Sequence, residues 1–296
     1  MFTPYDTARD KVLVVCIYIL VAVLTLTFIY PFWDQVILSL STRADAMKHE
    51  FRLFPWPISF SAYQGLVQSP GVLRAFSVTV FRVIAGTCWT LFVTTLAAYP
   101  LSRPDCPFRK VFVVFFLFTM LFDGGLIPNY LLRADLNLVD RFAVLILPGV
   151  SAWNIIIMRN FFRSLPIELE EAAKLDGASD LVILLRVILP LSKPVLATVA
   201  LWTAVGHWNA YFDVLIYIHD RSKYTLQILL RRVLLESEMS TMEITQLLDP
   251  ARILQSPTSE SVKAAFLILV TVPILLVYPF AQRYFVRGIL LGSVKG

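Results

Sequence analysis

From Val12 to Trp33 the chain runs without a single Lys, Arg, Asp or Glu. As a helix, those about 22 residues rise about 33 Å, enough to cross the hydrocarbon core of a bilayer. Backbone N–H and C=O groups have no water to bond in lipid, so such a run must be helical. Further apolar runs follow at about 73–99, 111–132, 142–158, 195–218 and 264–281. The expected fold is therefore all-α: a polytopic membrane protein with six transmembrane helices, forming one transmembrane domain over residues 1–296. Composition agrees, with 57% hydrophobic residues and a mean hydropathy of +0.71, above the roughly 45–50% apolar content of soluble domains. A net charge of +5 invites a nucleic-acid reading, but no basic stripe with interleaved aromatics occurs, so none is expected. Lys and Arg collect at the ends of the apolar runs, where membrane lipid is the partner. No small-x-small site follows the first run, which reads as an uncleaved span. Three cysteines do not make a disulfide framework.

The runs are not uniform. Val111 to Phe122 supplies only about 12 residues, about 18 Å of helix, before Asp123-Gly124-Gly125 intervenes. That span must be kinked or irregular at the glycines. The fourth run holds Pro148 and Asn154, and the second carries Arg82 near its middle. Six spans place both termini on one side. The short turn 100–110 holds Arg103, Arg109 and Lys110, whereas 123–138 holds only Arg133. Basic short loops stay inside, so both termini are expected in the cytoplasm. The polar segment 219–262 then becomes an outer loop, with an amphipathic surface helix from Leu226 to Glu236.

Between the fourth and fifth spans lies a polar elbow, residues 160–192. Ser164 is placed to cap a helix whose first turn contains Pro166 and Glu168, followed by Glu170 and Glu171. Ala172 and Ala173 keep the helix thin, and Gly177 supplies a left-handed stop. A second helix can start at Ser179 and run to Pro190. A helix lying on a lipid surface is usually rich in Lys and Arg. This one begins acidic, which suits a basic protein partner better, although the lipid surface stays open as a reading.

The elbow reads Glu171-Ala172-Ala173-Lys174-Leu175-Asp176-Gly177-Ala178, with Leu189-Pro190 further on. It resembles the EAA motif of ATP-binding-cassette importer permeases, with Val187 where isoleucine is commoner. The resemblance extends over most of the chain through Leu96-Ala97-Ala98-Tyr99-Pro100-Leu101-Ser102-Arg103, His207-Trp208-Asn209 and the closing Gly288–Gly296 stretch. It is nearest to carbohydrate permeases of the maltose-transporter type, in the branch handling polysaccharide fragments. That resemblance implies a sugar or oligosaccharide importer, neutral or acidic in substrate, in a bacterial inner membrane. It also implies a coupling helix at the elbow, with Glu171, Ala172, Ala173, Asp176, Gly177, Leu189 and Pro190 meeting an ATPase dimer. A second, non-identical permease and an extracytoplasmic solute-binding protein, toward which the 219–262 loop would reach, complete the implied assembly. The chain lacks a phosphate-binding Gly-x-x-x-x-Gly-Lys-Ser/Thr loop. It is therefore expected to be a non-catalytic subunit without its own cofactor, ATP and Mg²⁺ residing on the ATPase.

Two features could line a pathway. Trp202, Gly206, Asn209 and Asp213 recur at helical spacing on one face of the fifth span. Polar groups within spans turn toward a cavity or toward neighbouring helices, so this stripe serves either sugar passage or packing. Arg82 is expensive at mid-span and needs a partner: an acidic sugar, or a structural acid such as Asp123 or Asp213. Asn154 is the corresponding polar group of the fourth span. An ion-coupled secondary transporter of a small polar solute is the alternative function, though the spans offer it only Asp213 and Asp123 as acids.

Overall fold

The computed structural model describes residues 8–48, 53–147, 150–235 and 257–293. Its helices are α1 (Ala8–Ser39), α2 (Arg43–Ala46), α3 (Ser61–Gln68), α4 (Pro70–Ser102), α5 (Arg109–Leu121) and α6 (Leu126–Asp135). Then come α7 (Ala143–Ile146), α8 (Ala152–Ser164), α9 (Glu168–Leu175), α10 (Asp180–Ile183), a π-helical turn Leu184–Ile188, and α11 (Leu189–Leu191). The remainder is α12 (Lys193–Asn209), α13 (Phe212–Tyr217), a 3-10 turn Arg221–Lys223, α14 (226–235) and α15 (Ser259–Ser293). Among the described residues the one strand-type pairing is an isolated antiparallel bridge, Ser41 to Ile58.

Three helices in this set are long and apolar enough to cross a membrane: Asp10–Ser39, Pro70–Ser102 and Ser259–Val277. The number reaches five if each of two sharply bent pairs counts as one crossing. One pair is α5 and α6, bent by 117° at the predicted glycines. Gly125 has φ +83°, open to glycine at little cost. Asp123 Oδ1 accepts from Gly125 N and from Asn129 Nδ2, both at 3.0 Å. The other pair, bent by 81°, joins Asp180–Leu191 to Lys193–Asn209. Where one helix was expected over 142–158, the chain forms α7, an extended Ser151, and the 13-residue α8. Pro148 lies outside the described residues. The run 195–218 is likewise divided, because Ala210 is extended at φ −71°, ψ 124°.

The helices fall into two compact units, Met1–Ser69 with Arg232–Thr271 and Pro70–Arg231 with Val272–Gly296. Within the first, the end of α1 is tied to the segment leading into α3. Trp33 Nε1 donates to Leu53 O at 2.9 Å, Ser59 N to Leu40 O at 2.8 Å, and Ser39 Oγ meets the Tyr63 hydroxyl at 2.8 Å. The apolar middle of α1 is exposed along its length. Its Thr25 and Thr27 hydroxyls donate to the carbonyls of Val21 and Val23, so both are satisfied within the helix.

The second unit is organised along α4. At its C-terminal end Ala98, Tyr99 and Leu101 pack with Ile155, Met158 and Phe162 of α8, Ile183, Leu184 and Ile188 of the elbow's return arm, and Val195 and Val199 of α12. A second cluster joins Val144 and Leu145 to Val214, Tyr217, Ile218, Tyr224 and Ile228, and Phe81 of α4 meets Phe142 beside it. Helix α14 is not free on a surface where it starts. Leu226 and Ile228 are buried, and the Leu226 N–H donates to Thr79 Oγ1 of α4 at 2.9 Å. One of the four N–H groups a helix start leaves open is thus satisfied from a neighbouring helix. Residues 236–256 of the expected outer loop lie outside the described residues.

Candidate functional site

One face of α4 carries Thr79, Arg82, Gly86 and Thr90, spaced three and four apart and all buried. Helix α12 lies against it. Phe76 meets Trp208 edge to face with ring centroids 6.3 Å apart, and the His207 ring sits directly on Gly86. A Cβ added at Gly86 would overlap that ring. Gly86 is therefore the glycine needed for close helix approach. Gly206, which the sequence offered for that role, has no atom within 4 Å of where a Cβ would be.

Arg82 is 2% exposed and finds its partner in Asp213. Nη2 pairs with Asp213 Oδ2, while Nη1 donates to Oδ1 at 3.1 Å and to the Ala210 carbonyl at 3.4 Å. The carbonyl contact explains the site's geometry. Extended Ala210 interrupts the helical ladder, and the guanidinium meets both the freed backbone oxygen and the acid of the next helical turn. Asp213 Oδ1 also accepts from Val214 N at 2.9 Å.

The break separates the predicted stripe. Trp202, Gly206 and Asn209 remain on the exposed side of α12, whereas Asp213 turns inward to Arg82. Asn209 Oδ1 accepts from Gln227 Nε2 at 3.4 Å. His207 and Trp208, on the opposite side, are buried. Asn154 is buried on α8.

The elbow begins later than its sequence suggests. Ser164 closes α8, its hydroxyl donating to Phe161 O at 2.7 Å. Leu165 is extended, as a residue before proline tends to be, and the N-cap of α9 is Ile167 without a side-chain bond. On α9, Glu171 and Ala172 are exposed and Ala173 is partly buried against the core. Asp176 stands at the C-cap, Gly177 takes φ +80°, and the exposed Ser179 leads into α10. Leu189 is half-buried and Pro190 is exposed in α11. The π turn before it puts the Leu189 N–H on the Leu184 carbonyl. Proline has no N–H to continue an α ladder and crowds the preceding turn, and the wider turn accommodates it.

The buried acid of the elbow is Glu170, paired with Arg103 at the end of α4. The Arg103 guanidinium lies over the Tyr99 ring at 5.0 Å. Neither residue stood out in the sequence. Glu168, Glu170 and Glu171 look alike there, and only the spacing of about 100° per residue separates the faces of the last two.

Several helices long and apolar enough to cross a membrane make this an integral membrane component. Residues 110–291 match the family described as binding-protein-dependent transport system inner membrane component, and the chain belongs to that family. It is a permease subunit, not an enzyme. It is 39% identical over 295 residues to Protein LplC of Bacillus subtilis (strain 168), covering 99% of this chain and 98% of that protein. To the polygalacturonan/rhamnogalacturonan transport system permease protein YtcP of the same organism it is 36% identical over 289 residues, covering 97% and 100%. Its fold matches a chain of a bacterial ABC transporter involved in the import of the acidic polysaccharide alginate. The TM-score is 0.90 at 32% identity, over 96% of this chain and 100% of that one.

Proposed function

We propose that this chain is one of two permease subunits of an ABC importer that carries an acidic oligosaccharide into the cytoplasm. A separate ATPase dimer, which holds ATP and Mg²⁺, drives it through the elbow. The chain would span the membrane six times with both termini inside, and an extracytoplasmic solute-binding protein would deliver the sugar. The observation that carries the reading is the exposed face of α9. Glu171, Ala172 and Asp176 are open, and Leu175 is 90% exposed at the tip before the Gly177 turn. A large apolar side chain held out among acids suits a basic-rimmed cleft on a protein more than water or anionic lipid.

Substitution tests this directly. Glu171→Lys reverses the exposed charge, and Gly177→Asp forces a side chain into a positive-φ position. Both variants should lose co-purification of the ATPase and ATP-dependent uptake. Retention of both activities would remove the coupling role.

The substrate class rests on the relatives, two of which bear the names of acidic polysaccharides. The exposed Trp202 and Asn209 of α12 suit sugar passage, since aromatic faces stack on rings and amides bond hydroxyls. Arg82, joined to Asp213 and Ala210 O, would reach an acidic sugar only by exchanging partners. Thermal-shift titration of the binding protein with uronic and neutral oligosaccharides should favour the uronic ones. Arg82→Gln should depress uptake of acidic sugars, and unchanged uptake of every sugar would remove Arg82 from the pathway.

A further inference from the structure

Helix α9 buries one side chain, and it is an acid. An amphipathic helix ordinarily attaches to a bundle through an apolar stripe. Here Ala173 gives a small apolar contact and Glu170 supplies the rest by reaching Arg103. The space around that pair is not closed by packing. A cavity of about 410 Å³ lies there, lined by Leu96, Pro100, Asp105, Lys174, Leu181 and Leu184 as well as the pair itself. The other charged links of α9 run through Lys174, to Asp105 at 3.9 Å and Asp180 at 3.7 Å. All three of those side chains are about half exposed or more, where ion pairs contribute little.

The receiving end is firmly held. Arg159 Nε of α8 donates to the Leu101 carbonyl at 2.8 Å, and Arg109 Nη1 of α5 to the Arg103 carbonyl at 3.1 Å. The last carbonyls of a helix are its unsatisfied, electronegative end, so guanidinium donors are well placed there. Arg103 is thus fixed by its own backbone to α5, by its ring contact to Tyr99, and through α4 to α8. The elbow has a second attachment. Its return arm runs through Ile183, Leu184 and Ile188, packed in the core, directly into α12.

We propose that Arg103 and Glu170 are positioning residues that form the joint between the elbow helix and the second span. The joint makes a displacement applied to α9 move α4 as well as α12. This rests on the elbow being where the ATPase docks. Without the pair, a push on α9 would reach α4 only indirectly, through its chain connections to α8 and the return arm and the small Ala173 contact, and the gap beside α4 would absorb part of it.

The test uses the complete transporter in lipid nanodiscs, with Cys16, Cys88 and Cys106 replaced by serine. Spin labels at Glu168→Cys on α9 and Phe92→Cys on α4 report their separation, without nucleotide and trapped with ATP and vanadate. The unaltered pair should give one narrow distance common to both states. Arg103→Glu and Glu170→Arg should each broaden or shift that distance on trapping while the ATPase still co-purifies. The combined reversal Arg103→Glu with Glu170→Arg should restore the narrow distance. Glu170→Gln, which removes the charge at nearly constant shape, gives the same readout if a reversed chain does not assemble. An unchanged distance in the single variants, or no recovery in the double, would overturn the proposal. Failure of the ATPase to bind the unaltered chain would instead overturn the docking reading, and the transmission role with it.

Discussion

Arg82 and Arg103 belong to one helix and its immediate end, about 30 Å apart along the axis, and each meets an acid from a distant part of the chain. Their settings differ. Arg82 is enclosed between α4 and α12 and closes a defect, giving a counter-charge to Asp213 and a donor to the carbonyl freed at Ala210. Arg103 lies beside a cavity and holds an element that is otherwise exposed. Both pairs are largely buried, so in either one a charge left alone is costly, and the first lies between packed helices that hold it in place. The cavity beside the second makes it a tether, with room for the parts on either side to shift. An ion pair in a membrane protein is therefore read from what surrounds it.

The comparison can be broken most decisively at Arg82. Arg82→Leu leaves Asp213 uncompensated and should destabilise the protein by about 3–5 kcal/mol, seen as lower thermal stability in detergent followed by tryptophan fluorescence. Adding Asp213→Asn should recover much of that loss. A single variant as stable as the parent would show that the Arg82–Asp213 pair is not a structural necessity. Next in size is Gly86→Ala, which wedges α4 from α12 against the His207 ring and should cost about 1–3 kcal/mol. His207→Ala in the same chain should relieve it, and equal destabilisation with and without His207 would disprove the contact.

A smaller effect is expected at Asp140, outside both pairs. Its carboxyl is held below the usual carboxylate range, chiefly by the Asp220 N–H, with the His219 N–H and the Lys223 ammonium adding to it. A depressed folded pKa contributes stability above the unfolded value of about 3.9, lost as pH falls through the folded one. Amide protection, measured against the intrinsic exchange rate at each pH, should therefore fall at residues 219–223 below about pH 4, and Asp140→Asn should remove that dependence while loosening the loop at neutral pH. A loop insensitive to both changes would disprove the anchor. The smallest effect belongs to Lys174→Ala, within about 0.5 kcal/mol in the same thermal assay. A larger loss would mean that α9 is held by its exposed charges rather than by Glu170.

Much of the molecule was legible before its structure. Apolar length announced the helices α1, α4 and α15, because a run that cannot be hydrated must satisfy its own backbone. Gly125 and Gly177 marked turns, since positive φ excludes most other residues at low cost. The Glu-Ala-Ala and Leu-Pro spacing marked the family. Asp213 was placed on the wrong face because periodicity assumes an unbroken helix, and one extended residue at Ala210 rotates all that follows. Ser164 was misplaced by a similar local step, the extended Leu165 before Pro166.

What the sequence by itself determined was class: helical, membrane-embedded, built around an acidic elbow with a glycine stop. These follow from local rules, in which hydrophobic length and backbone sterics act within a few turns of chain. Partner choice was decided only by tertiary structure. Arg82 could have met either of two acids, and Glu170 differs from Glu171 by one position. Which charge is buried and which faces outward depends on helices more than sixty residues apart coming together, as α4 and α9 do, and no local pattern encodes that contact.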